Sequence, residues 1–136
     1  VPLALQVAAM QRDVLELQNQ AETEDGTVER SFLHVLDACD AVLLSLNWLK
    51  MQSNCLEVFN IANSELVSIQ KLLEEIKKVT QVEINTQPAI YQNQELSHLG
   101  ANIDKAKQTL NWSPKRSLTQ MIEDEWRFYL NTLKGN

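Results

Sequence analysis

Residues 23–46 read TEDGTVERSFLHVLDACDAVLLSL, and they set an acidic loop, an arginine, an apolar run and a helical pattern end to end. Gly26 is the turn residue of a polar, acidic loop over 19–29. Phe32, Leu33 and Val35 then mark a strand over 31–35, with Arg30 at its head. Asp37 takes the position of an N-cap, with Asp40 three residues on as a variant of the capping box. The helix it opens, over 38–51, carries Ala41, Val42, Leu43, Leu44, Leu46, Trp48 and Leu49 on several faces, and a helix so apolar is expected to be central and buried. Arg30 has two readings. It can pair with Glu22, Glu24, Asp25 or Glu29, or it can face an anion, since a planar guanidinium grips phosphate oxygens at two points.

Working outward, Pro2 suits the first turn of a short helix reaching about residue 10, and 14–17 is a strand candidate. On the other side, 56–61 is a strand candidate. Ser68 can cap the next helix, whose Ile69, Leu72, Leu73, Ile76 and Val79 lie on one face at helical spacing. Residues 82–86 alternate like a strand, and 88–99 read as irregular. Asn102 can cap a short helix carrying Ile103, Ala106 and Leu110, which Trp112-Ser113-Pro114 ends. Ser117 with Gln120 forms a capping box for a last helix to about residue 133. The expected fold is α/β (mixed α+β): one domain over 1–136, with a small sheet of short strands and four to five helices.

Composition narrows the function. With 136 residues, 44% hydrophobic and 22% charged, the chain is globular rather than disordered. A net charge of −6 argues against nucleic acid, where phosphates must be neutralised, but leaves room for one bound nucleotide. Cys39 and Cys55 are too few for a disulfide framework and fit a reducing, cytoplasmic setting. Cys39, inside an apolar pattern, is expected to be a small buried hydrophobe. No apolar run approaches the ~20 residues of a membrane span. The start, VPLALQVAAM, lacks the basic region of a secretory signal, and it lacks an initiator Met, so the chain is expected to be cut from something longer or processed.

Gly26, Gly100 and Gly135 are the only glycines, so no glycine-rich phosphate loop exists. His34 and His98 lack partners at metal-ligand spacing, which makes a zinc site improbable. Ser113 and Ser117 read as turn and cap residues rather than nucleophiles, and His34 as a hydrogen-bonded core histidine. Trp48, Trp112 and Trp126 are expected in the core.

The ordered motifs carry a resemblance. VPLALQVAAMQRDVLEL, the opening stretch, VFNIANSELVSIQKLLEEI and ANIDKAKQTLNWSPKRSLTQMIEDEWRFY follow one another as in the C-terminal part of nucleotide-sugar epimerases. The chain resembles UDP-glucose 4-epimerases in particular, of the extended short-chain dehydrogenase/reductase superfamily. The family's Arg-Asp pair is matched by Arg12-Asp13, and its Arg-Asp-Tyr-Ile-His-Val by Arg30 to Val35. Its Tyr-Asn-Leu-Gly is matched by Phe59-Asn60-Ile61-Ala62, and its Asp-x-x-Lys-Ala…Leu-Gly-Trp-x-Pro by Asn102 to Pro114.

The resemblance implies the nucleotide-sugar-binding portion of such an enzyme. The family's NAD site and its catalytic Tyr-x-x-x-Lys belong to an N-terminal domain. Tyr91 and Tyr129 are followed four residues on by Glu95 and Leu133, so neither supplies that motif. No cofactor is therefore expected in this chain, and no catalysis by it alone. By resemblance Arg30 meets the nucleotide diphosphate, Phe32 stands beside it for the family's Tyr, and Leu17 borders the base pocket. Gln92 stands where the family has a second arginine, and Glu95 where it has the aspartate that meets the ribose. Losing one charge-assisted phosphate contact costs about 1.5–3 kcal/mol. Ser31 also replaces an Asp, and Ala62 and Ser64 replace glycines. Weak binding of a UDP-sugar, a degenerate non-catalytic nucleotide- or protein-binding module, and a purely assembly role all stay open. An exposed apolar face is expected to make a homodimer or a complex with a cofactor-binding domain. No nucleic acid or membrane partner is expected.

Overall fold

In a computed structural model of the protein, the described residues are Leu5, 15–18, 29–89 and 98–134. Strands β1 (Leu15–Gln18) and β4 (Thr86–Ala89) pair in parallel as a two-stranded sheet. Pro88 is tolerated in β4 because, among the described residues, β4 pairs on one side only. The second sheet has the order β3-β2-β5, where β2 is Glu29–Ser31, β3 is Leu66–Ser68 and β5 is His98–Leu99. β2 runs antiparallel to β3 and parallel to β5, so Arg30 lies between Val67 and Leu99. Four helices complete the described architecture: α1 (Val35–Leu49), α2 (Ile69–Thr80), α3 (Asp104–Leu110) and α4 (Leu118–Lys134). The mixed α/β class and the four-helix count agree with the sequence.

The boundaries near β2 differ from expectation for a physical reason. The strand ends at Ser31 and α1 begins at Val35, because His34 and not Asp37 is the N-cap. The His34 Nδ1 accepts the Leu36 N–H at 3.1 Å on an extended backbone, which starts the helix a turn early. Asp37 then falls in the first turn, where a carboxylate also complements the helix dipole. The Lys115 and Arg116 main-chain N–H groups both donate to its Oδ2 at 3.1 Å, and the Arg116 guanidinium donates to Oδ1. The Trp112 indole donates to the Asp37 carbonyl at 3.0 Å.

Helix α1 is not buried all round. Its buried residues are Asp37 and Ala41, while Val42, Leu43, Leu46 and Leu49 are exposed, from 47% to 59%. Cys39 is exposed as well, because the face it occupies has no layer over it among the described residues. Residues 56–61 do not form a strand: Leu56 and Val58 face outward, 94% and 71% exposed, and no described strand offers them a ladder. β4 starts later than the alternation over 82–86 suggests. Gln81 closes α2 in the left-handed region at φ 60°, and the Val82 N–H is taken by the Thr80 hydroxyl. β3 and β5 come from stretches with no strand reading of their own.

The remaining caps follow the sequence. The Ser68 Oγ accepts the Lys71 N–H, the Gln120 Oε1 accepts the Ser117 N–H at 2.9 Å and the Ser117 Oγ accepts the Gln120 N–H at 3.2 Å. The Asn102 Oδ1 accepts the Asp104 N–H at 2.8 Å, although Ile103 is the capping position itself. The amphipathic face of α2 sinks Leu72 and Ile76 into one core with Leu5, Val67 and Ile122. A second core gathers Ala41, Ile103, Ala106, Leu110 and Trp112 between α1 and α3. Consecutive residues leaving β2 divide between them, Phe32 to the first and Leu33 to the second.

Candidate functional site

β2 and its exit carry the candidate site. Arg30 is half-buried at mid-strand, and its Nη1 donates to the Glu29 carbonyl at 3.0 Å. Phe32 follows on the way out, packed against the first core. Between them, the Ser31 hydroxyl donates to the Asn63 carbonyl at 2.8 Å and accepts the Asn63 N–H at 3.0 Å. Leu17 lies in β1 in register with Pro88. Gln92 and Glu95 lie outside the described residues. Of the five site residues read from sequence, the structure thus brings Arg30 and Phe32 onto one strand end and places Leu17 in the other sheet.

A cavity of about 490 Å³ opens beside this strand exit, between Ser31, Phe32, His34, Asp124, Glu125 and Phe128. His34 is buried and its Nε2 stands 3.2 Å from the Asp124 Oδ2. Because Nδ1 must accept the Leu36 N–H, the ring proton sits on Nε2, which donates to the carboxylate. Ser31, His34 and Asp124 are the residue types of a nucleophilic triad, but their connectivity is wrong for one. Nε2 meets Asp124, but Nδ1, the nitrogen a serine would need, is taken by the Leu36 N–H, and the serine proton goes to Asn63. The arrangement holds helices in place and offers no activated nucleophile. His34 is the hydrogen-bonded core histidine its apolar neighbours indicate. Asp124, ninety positions away, gave no local signal.

A second cavity, of about 530 Å³, runs along α1 under residues 55–61 and is lined mainly by apolar side chains, among them Val42, Leu46, Leu49, Leu56 and Ile61. Trp48 meets Phe59 edge to face at 5.5 Å, and the Lys105 ammonium lies 5.3 Å from the Phe59 ring centre. Lys105 also pairs with Glu57, and this hydrogen bond, with the Val58 N–H, holds the Glu57 carboxyl below its ordinary value. Among the described residues no group of His, Cys, Asp and Glu could hold a metal ion. No described helix is long and apolar enough to cross a membrane.

The comparisons with known proteins bear on this geometry. Residues 3–125 match the family model described as GDP-mannose 4,6 dehydratase. The UDP-glucose 4-epimerase of Streptococcus mutans is 32% identical over 137 residues, covering 99% of this chain and 41% of the relative. That of Lacticaseibacillus casei is 34% identical with the same coverage. The crystal structure of UDP-glucose 4-epimerase from Stenotrophomonas maltophila, with bound NAD and formylated UDP-arabinopyranose, superposes with a TM-score of 0.84 at 25% identity. It is matched over 99% of this chain and 40% of its own. The chain thus spans about two-fifths of the length of the relatives it matches.

Proposed function

Since the chain belongs to the GDP-mannose 4,6-dehydratase family, we propose that it is the nucleotide-sugar-binding portion of a UDP-glucose 4-epimerase-like enzyme. Its ligand is a UDP-sugar, held weakly through the diphosphate. What carries this is the coverage: 99% of the chain aligns to 41% of an epimerase. Arg30, on the central strand of its sheet, matches by motif the arginine that in the resembling family meets the diphosphate, which supports this reading.

The portion alone does not turn over substrate. In the family NAD takes and returns the hydride, and its binding is assigned here to the portion of the enzyme this chain does not span. The sequence holds no glycine-rich turn and no Tyr-x-x-x-Lys. The starts of α1, α2 and α4 are each closed by their own side chains, His34, Ser68 and the Ser117–Gln120 pair, so none stands open to a pyrophosphate. A reducing, cytoplasmic setting belongs to the same proposal, since Cys39 and Cys55 are exposed free thiols.

The exposed apolar face of α1 favours a second reading, an assembly module that has lost nucleotide binding. Under either reading that face docks on a cofactor-binding portion or on a second copy of the chain. An NMR titration with UDP-glucose separates the two readings. Binding predicts shifts centred on Arg30 that vanish in Arg30→Ala. No shift at about millimolar ligand, a binding free energy near −4 kcal/mol, leaves the assembly role.

A further inference from the structure

We propose that Ser31 is a positioning residue: by clamping the main chain of Asn63 it fixes the strand end that carries Arg30. The proposal deepens the nucleotide-binding function and rests on it for its ligand.

Ser31 is the last residue of β2 and is pinned from two sides. Its main chain is in register with Leu66 of β3. Its hydroxyl holds Asn63, three residues earlier on the same partner segment, by donating to the carbonyl and accepting from the N–H. Asn63 in turn accepts the Glu65 N–H at 3.1 Å through Oδ1, which sets the bend leading into β3. The clamp, the bend and the ladder form one closed circuit around Ser31.

The circuit matters because Phe59, Ile61 and Ala62 pack on the second core with Leu33, while Ser31 makes the polar tie that sets their register against β2. That segment belongs to no described strand. Its other polar tie, Asn60 Nδ2 donating to the Asn102 carbonyl at 3.2 Å, leads away to the turn before α3. Removing the hydroxyl leaves the end of β2 held by its last ladder positions, and strand ends held so fray. Arg30 is one residue inside that end.

The chemistry of position 31 is selective. A hydroxyl donates and accepts at once. Alanine does neither. An ionised aspartate only accepts, so it would satisfy the Asn63 N–H while setting a second acceptor against the Asn63 carbonyl. Threonine keeps both roles. The serine here is therefore a matched partner for a main-chain pair and not merely a lost carboxylate.

The test uses the 136-residue chain and its Ser31→Ala, Ser31→Asp and Ser31→Thr variants. Three readouts are taken: Asn63 amide exchange, the Arg30 Nε resonance and UDP affinity. Ser31→Ala should speed Asn63 exchange about tenfold or more, as expected for two lost hydrogen bonds. It should also move the Arg30 Nε signal and weaken UDP binding several-fold. Ser31→Asp should share these defects in part, and Ser31→Thr should restore all three. Wild-type Arg30 Nε shifts and UDP affinity in Ser31→Ala would overturn the proposal, as would a Ser31→Thr variant no better than alanine. If the unaltered chain shows no UDP shifts, nucleotide binding itself falls, and the Arg30 Nε signal then decides the positioning role alone.

Discussion

Asp37 and Arg116, seventy-nine residues apart, meet at the first turn of α1 in an ion pair whose carboxylate is 1% exposed. The same carboxylate accepts two main-chain N–H groups, from Lys115 and Arg116. Arg116 reaches on to Asp40 at 3.3 Å, and Trp112 donates to the Asp37 carbonyl. One side chain therefore fastens the 112–116 turn to the helix that leaves the candidate site.

Asp37→Ala should cost about 2–3 kcal/mol of stability, because it strands two part-buried main-chain N–H donors as well as a guanidinium. Arg116→Ala should cost less, since the two main-chain donors keep their acceptor. Urea unfolding of the two variants measures both, and an alanine at 37 milder than one at 116 would contradict this account.

The same carboxylate predicts an acid limb. Burial raises the Asp37 pKa, but the Arg116 and Lys115 N–H groups and the Arg116 guanidinium outweigh it and hold the value below ordinary. The folded state thus binds this proton less readily than the unfolded one. Its contribution is complete above the unfolded value of about 3.9 and is lost as pH falls through the lower folded value. Asp37→Asn should lower stability at neutral pH and flatten its decline as pH falls below about 4. An equally steep decline in both proteins would assign the acid limb to other carboxylates.

The two contacts of the His34 ring predict a proton on Nε2 and a lone pair on Nδ1, readable from its ring nitrogen shifts. Replacing it by alanine removes the α1 cap and the contact to Asp124 together, and the cap alone is worth about 1 kcal/mol. His34→Asn can keep the cap while giving up Asp124, so it should lie between the two in thermal unfolding. A proton on Nδ1 would remove the acceptor of the Leu36 N–H and contradict this account.

Local signals made much of the fold legible. Ser68 and the Ser117–Gln120 box are read within three residues, and the face Leu72–Ile76 lies on one helix. What failed was decided at a distance. Asp37 carries the same sequence signal as an N-cap, but its partners lie beyond residue 111, and the true cap is a histidine. Cys39 and the leucines of α1 read as core because apolar neighbours imply a covering layer, and that layer is not among the described residues. Residues 56–61 have a strand's alternation without a described neighbour to complete a ladder. At the candidate site, Arg30 and Phe32 are readable from their order along one motif, whereas the Ser31–Asn63 clamp spans thirty-two positions and has no motif to announce it.

The face of α1 yields the last expectation. Val42, Leu43, Leu46 and Leu49 are each about half exposed, and Leu56, which lines the same cavity as Val42, Leu46 and Leu49, is almost fully exposed. A contiguous apolar surface of this kind is unusual on a monomer and drives association at roughly 25 cal/mol per Å² buried. The chain alone should therefore self-associate with concentration in sedimentation velocity. Leu43→Glu with Leu46→Glu should return it to monomer while leaving the unfolding midpoint nearly unchanged, because neither side chain belongs to either buried core. The pair of glutamates should also abolish docking on a cofactor-binding portion supplied separately. A monomer at all concentrations, or a double variant that associates as before, would show that this face is not where the molecule finds its partner.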